Sequence, residues 1–173
     1  MHRGNLISLN REIDERRKGR SRRLRANAKV GAQKEWNVIA WLIGLLMIVG
    51  SGIDLVEIER IKNAVDRYGE RFLNRVFRND EKAYCLRKRN SAESFAARFA
   101  AKEAAAKALG TGISHGVSWL EIEVVREPSG RPTLRFHGRA AMRAASIGAV
   151  NSNLSLTHST GLAIASVVLE TEA

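Results

Sequence analysis

Residues 98–112 read RFAAKEAAAKALGTG. Alanine is the best helix former, so the run predicts a helix. That helix carries Arg98, Lys102, Glu103 and Lys107 and runs straight into Gly110-Thr111-Gly112. Glu103 and Lys107 stand at i, i+4, the spacing of a surface ion pair worth ~0.2–0.5 kcal/mol. One glycine is enough to cap a helix C-terminus. Two glycines around a threonine would also offer backbone N–H groups and a hydroxyl, which suits a phosphate. The order is not that of a Walker A loop, because the lysine precedes the glycines and the loop follows the helix.

Upstream, residues 47–56 read as a strand ending near a carboxylate. Alternation puts Asp54 on one face with Gly52, Gly50 and Ile48. Two glycines beside a carboxylate predict room for a ligand to approach; the plainer alternative is an aspartate that caps the next helix. The stretch EIERIKNAVDRYGERFLNRVF (57–77) has helical apolar spacing with a break at Gly69. Asn79 and Ser91 are the expected N-caps of two further helices.

Downstream, WLEIEVV (119–125) alternates as a strand, EPSGRP (127–132) is a turn, and TLRFH is the hairpin partner. GRAAMRAASIG predicts a helix. NLSLTH and LAIASVVLE predict two strands joined at Ser159-Thr160-Gly161. His158 shares its face with Leu154 and Leu156, the position of a satisfied core histidine, but it also ends a strand beside a polar turn, where it could transfer protons near neutral pH. The element order predicts an α+β fold with an antiparallel sheet packed against helices. Asp54, Glu103, Lys107, the Gly-Thr-Gly loop and His158 make a set suited to phosphate chemistry on a divalent cation.

The chain has 173 residues, one cysteine and a net charge of +11. A single cysteine excludes an internal disulfide framework. No Cys/His cluster has zinc-ligand spacing. Residues 1–46 hold 11 of the 29 Lys/Arg and 4 of the 18 Asp/Glu, so the basic excess is concentrated there. This segment is expected to be a basic and apolar extension, poorly ordered or a mis-assigned start, with residues 47–173 as the domain. Two competing readings are a membrane anchor in the apolar run 36–53 and a nucleic-acid arm in the Arg-rich block. No recognisable nucleic-acid module accompanies that block. A first strand starting at Met47 takes apolar residues away from a spanning helix.

Four segments resemble holo-[acyl-carrier-protein] synthases, the short-form 4′-phosphopantetheinyl transferases: GIDLVEIERI (52–61), RFAAKEAAAKALGTG (98–112), WLEIEVV with its SGRP turn (119–132), and LSLTHSTGLAIASVVLE (154–170). They occur in the family's order and spacing. The resemblance implies the phosphopantetheinyl transferase fold in a homotrimer with shared sites, cytoplasmic, acting in fatty acid biosynthesis. It implies transfer of 4′-phosphopantetheine from coenzyme A to a serine of apo-acyl carrier protein, with Mg²⁺. Asp54 and Glu103 would hold the metal. Glu103, Lys107 and His158 would be catalytic. Arg98, Lys102, Lys107, Gly110, Thr111, Gly112 and His158 would bind coenzyme A, with local ion pairing as the other role for Arg98 and Lys102. Arg60, Arg67 and Arg71 would dock the acidic carrier. The resemblance implies neither nucleic acid nor membrane as a partner. The alternative function is nucleic-acid binding through the extension.

Overall fold

The computed structural model describes residues 47–113 and 116–171. The expectations for residues 1–46 lie outside the described residues. Strand β1 (Met47–Glu57) leads into helix α1 (Ile58–Tyr68), then α2 (Glu70–Val76), α3 (Asn79–Leu86) and α4 (Ser91–Ala108). A 3-10 turn (Trp119–Glu121) precedes β2 (Ile122–Arg126), β3 (Pro132–Phe136), α5 (Gly138–Ser146), β4 (Asn151–Ser159) and β5 (Leu162–Thr171). The predicted α+β architecture is therefore observed. β5 is the centre of a three-stranded antiparallel sheet, order β1-β5-β4, and β2-β3 form a separate hairpin.

The Ala-rich stretch is the axis of the core. Ala96, Ala97, Ala100, Ala101, Ala104, Ala105, Ala106 and Ala108 of α4 are all buried. A helix enclosed on most sides has no single apolar stripe, and small side chains let neighbouring elements come close. The glycines of β1 extend this logic. A Cβ on Gly50 would lie 2.1 Å from the Ala108 carbonyl oxygen, and one on Gly52 would lie 2.1 Å from that of Ala104. The space predicted for a ligand is filled by the backbone of α4, which corrects the expectation. A bulge between Ile48 and Gly50 also turns Ile48 off this face, leaving it 67% exposed.

Local boundaries moved by one to three residues. α1 and α2 meet at Gly69, as predicted, with φ +51°. The N-cap of α3 is Arg78, not Asn79, and Glu81 accepts a hydrogen bond from the Arg78 N–H at 2.9 Å. Asn90, not Ser91, caps α4, its side chain accepting from the Glu93 N–H. Trp119, Leu120 and Glu121 leave the predicted strand for the 3-10 turn.

Lys102 is fully buried, which corrects its expected role in coenzyme binding and leaves the other implied role, a local ion pair. Its ammonium donates to Glu81 Oε2 at 2.7 Å, the Trp119 carbonyl at 3.0 Å and the Ile122 carbonyl at 2.5 Å. Burial pushes its pKa below the ordinary lysine value, and Glu81 opposes that push. The three donors of the ammonium are satisfied inside the protein. Replacing Lys102 by alanine would leave the Glu81 charge buried, so a loss of about 3–5 kcal/mol in stability is expected. Urea unfolding of the two proteins measures it.

Candidate active site

The close approach of α4 to β1 sets the first cluster. Gly50 opposes Ala108 and Gly52 opposes Ala104. Asp54, next along the same face, therefore stands against the turn of α4 that carries Glu103. Lys107, one turn on, donates to Asp54 Oδ1 at 2.8 Å and to the Ile53 carbonyl at 2.9 Å. Glu103 makes a different bond: Trp119 Nε1–H donates to its Oε1 at 2.8 Å. The described ion pairs include no Glu103–Lys107 pair, so the bland reading of that spacing fails.

This cluster fits a small hard cation. It offers two carboxylates, the usual protein contribution to a Mg²⁺ site completed by phosphate oxygens and water. The Lys107 ammonium already rests on Asp54 as a positive stand-in, and Glu103 Oε2 has no partner among the described hydrogen bonds. No group of three or more His, Cys, Asp or Glu suited to a metal forms among the described residues. Among the described residues a cation here would have two carboxylates, with phosphate oxygens and water to complete its shell.

A second cluster surrounds His158. It is a cleft of about 680 Å³ bordered by Lys88, Arg89, Arg98, Arg126 and His158. The Tyr84 ring organises its cations, with Arg98 at 4.1 Å, Lys88 at 4.6 Å and Arg126 at 5.2 Å from the ring centroid. Burial raises the Tyr84 pKa, but the hydrogen bond from Lys88 and the charges of Arg126, Lys88 and Arg98 outweigh it and lower the value. Arg98 is 5% exposed, and its buried Nε has no hydrogen-bond partner. His158 continues the face of Leu154 and Leu156 but lies beyond the core, half exposed, with Nδ1 3.8 Å from Glu93 Oε2. Such a cleft suits a polyanion.

The two clusters do not merge within one chain. Glu93 and Glu103 are ten residues apart on α4, roughly 15 Å at about 1.5 Å per residue. Arg98 and Glu103 point about 140° apart around the helix at about 100° per residue. His158, which stands beside Glu93, therefore does not reach Glu103 of its own chain. A second cleft of about 520 Å³ holds Glu123 with Arg78, Arg135 and His137. Its charges answer one another, His137 Nε2 lying 2.7 Å from Glu123 Oε2.

The Gly-Thr-Gly loop is a correction. The N–H of Gly110 donates to the Lys107 carbonyl, and those of Thr111 and Gly112 donate to the Ala106 carbonyl at 3.2 and 3.1 Å. The Thr111 hydroxyl turns to the same carbonyl at 3.4 Å. Gly110 and Gly112 both have positive φ, +71° and +60°. The loop closes the end of α4, where orphan carbonyls need donors, so these N–H groups are not presented to a phosphate. Arg60, Arg67 and Arg71 are exposed on α1 and α2, as docking would need.

Sequence reading missed Trp119 and Tyr84, and with them Lys88, Arg89 and Arg126. The basic run LRKR (86–89) beside the start of α4 was the available signal for two of them. Trp119 is held by its turn. Glu121 accepts from the Ser118 N–H at 2.8 Å, the Ser118 hydroxyl at 3.2 Å and the Arg139 N–H at 2.9 Å. Burial raises the Glu121 pKa, but the hydrogen bonds from Arg139 and Ser118 outweigh it and lower the value from 4.5 to about 2. A carboxylate depressed in the folded state stabilises above its unfolded value and loses that contribution as pH falls through the folded one. The difference in Tm between the wild type and Glu121→Gln is expected to hold above pH about 5 and to shrink between about 4.5 and about 2. Calorimetry across that range checks it.

Comparison with known proteins agrees with the fold and the motifs. The profile of the 4′-phosphopantetheinyl transferase superfamily matches residues 50–165. The holo-[acyl-carrier-protein] synthase of Koribacter versatilis (strain Ellin345) is 53% identical over 124 residues, covering 72% of this chain and 99% of that one. The crystal structure of the Neisseria meningitidis synthase superposes with a TM-score of 0.67 at 31% identity, covering 72% of this chain and 100% of that one. The Helicobacter pylori synthase, solved in complex with coenzyme A, gives a TM-score of 0.61 at 34% identity, covering 69% of this chain and 98% of that one. The chain belongs to the 4′-phosphopantetheinyl transferase superfamily. Its activity is that of a holo-[acyl-carrier-protein] synthase, phosphopantetheinyl transfer to apo-acyl carrier protein.

Proposed function

We propose that the chain takes phosphopantetheine from coenzyme A and attaches it to a carrier-protein serine with Mg²⁺ in the Asp54/Glu103 cluster. The observation that carries this reading is Lys107 bridging to Asp54 beside the α4 turn of Glu103. The serine oxygen forms a bond to the phosphorus bearing the pantetheine arm and gives up its hydroxyl proton to the surrounding water. The pyrophosphate P–O bond breaks, and adenosine 3′,5′-bisphosphate leaves with the bonding pair. When bound, Mg²⁺ offsets the charge on the pyrophosphate oxygens. Asp54 and Glu103 would hold and orient it, and Lys107 would contact the phosphates and steady the leaving group. The cations around Tyr84 and His158 bind the remaining phosphate of the coenzyme. The reading extends to an acyl carrier docked on Arg60, Arg67 and Arg71, in the cytoplasm, in fatty acid biosynthesis.

We also infer a homotrimer whose sites are shared. The two clusters of one chain stand too far apart to act together, so each needs its complement from a neighbour. The outer face of the sheet supports such an assembly: Ile53 and Leu55 are 64% and 54% exposed beside Ser51. Two exposed apolar side chains side by side on one sheet face suit burial against a neighbouring subunit. Among the described residues no helix is long and apolar enough to cross a membrane. Intact mass measurement of apo-carrier protein incubated with enzyme, coenzyme A and Mg²⁺ should show the added arm, and none when Mg²⁺ is withheld. Loading that continues unchanged in excess chelator removes the metal from the reading.

A further inference from the structure

We infer that Trp119 is a positioning residue that selects the cation at Glu103. The inference rests on the proposed Mg²⁺ site. Trp119 Nε1–H donates to Glu103 Oε1 at 2.8 Å. An indole N–H can only donate, so it never ligates a metal itself. It engages one carboxylate oxygen and leaves Oε2 as the oxygen offered to a cation. Carboxylate ligands are commonly held in this way by an outer hydrogen bond, which fixes their orientation.

The donor is unusually well anchored. The Trp119 carbonyl accepts from the buried Lys102 ammonium at 3.0 Å. The turn that carries Trp119 is closed at both ends by Glu121, through Ser118 and Arg139. The ring lies 6.1 Å from Phe99 and beneath the Arg75 guanidinium at 5.8 Å, centroid distances. An indole fixed on three sides cannot swing away cheaply when a cation arrives. Glu103 is therefore presented through one oxygen.

That presentation discriminates between cations. Mg²⁺ is bound through single carboxylate oxygens at near-octahedral geometry, whereas Ca²⁺ takes 6–8 oxygens and often engages both oxygens of a carboxylate. The Trp119 hydrogen bond competes with the second contact. It favours Mg²⁺ and disfavours Ca²⁺. Phenylalanine at this position would keep the aromatic packing against Phe99 and Arg75 and lose only the donor.

Titration calorimetry of Mg²⁺ and of Ca²⁺ into the full chain with coenzyme A, wild type beside Trp119→Phe, tests the inference. The expected result is a roughly 10–100-fold loss of Mg²⁺ affinity, the usual effect of removing an outer-shell partner, with no matching loss for Ca²⁺. The Mg²⁺ concentration for half-maximal transfer should rise in step, with kcat at saturating Mg²⁺ nearly kept. Equal losses for both cations, or none, overturn the role of Trp119 while leaving the metal site standing. Absence of Mg²⁺ binding by the wild type, with Glu103→Gln indistinguishable from it, overturns both. A second measurement guards against misfolding of the variant: the indole N–H resonance of Trp119 in the wild-type protein should shift in Glu103→Gln and on adding Mg²⁺. A resonance unmoved by both overturns the inference.

Discussion

Asp54→Ala and Glu103→Ala should each lower phosphopantetheine transfer by roughly 10²–10³-fold, the range seen when one preorganised electrostatic group is removed from an active site. The effect should appear in kcat at fixed low Mg²⁺ and shrink for Glu103→Ala as Mg²⁺ is raised. Neither change should unfold the chain. Asp54 is 17% exposed and its partner Lys107 is 51% exposed, so the freed ammonium gains water. Glu103 is half buried, and its lost partner is a neutral indole. Transfer assays beside thermal melts separate the two effects. Full activity of Asp54→Ala at low Mg²⁺ would remove Asp54 from the site.

Mixing two inactive variants should restore activity if the site is shared. Asp54→Ala spoils the carboxylate cluster and His158→Ala spoils the basic cleft. In a shared site each chain supplies the half that the other lacks. With random exchange in a closed ring, about a quarter of the interfaces combine two intact halves, so roughly a quarter of wild-type activity is expected. The distance argument makes this test sharp, because the clusters are roughly 15 Å apart along α4 at about 1.5 Å per residue. Recovery would have no source in a site contained in one chain. Co-refolded mixtures assayed for carrier loading give the answer, and a mixture no better than its components would return both clusters to a single chain.

Much of the fold could be read from the sequence because its signals are local. Helical apolar spacing and Gly69 defined α1 and α2. Alternation and the SGRP turn marked the β2-β3 hairpin. The Ala-rich run was recognised as a helix on propensity alone. Boundaries slipped where a cap depends on which neighbour offers a hydrogen bond, as at Arg78 and Asn90.

The candidate site was legible only in part. Asp54, Glu103 and Lys107 were named from residue type and spacing, and a tertiary contact joins Lys107 to Asp54. The two implied roles of Lys102 stayed open in the sequence, because its neighbours there reveal nothing of Glu81, which reaches it across a fold and makes it an ion-pair residue. Trp119 looked like an ordinary strand residue, since its bond to Glu103 depends on how a turn meets a helix.

By itself the sequence determined the kinds and order of the elements, the family motifs and the residues able to do phosphate chemistry. Only the tertiary structure decided what the glycines are for. Gly50 and Gly52 admit the α4 backbone, and Gly110 and Gly112 close its end, because a missing Cβ serves a close approach or a positive φ as readily as it serves a ligand. The partner that uses the space is chosen by packing, and packing is set by residues far away along the chain.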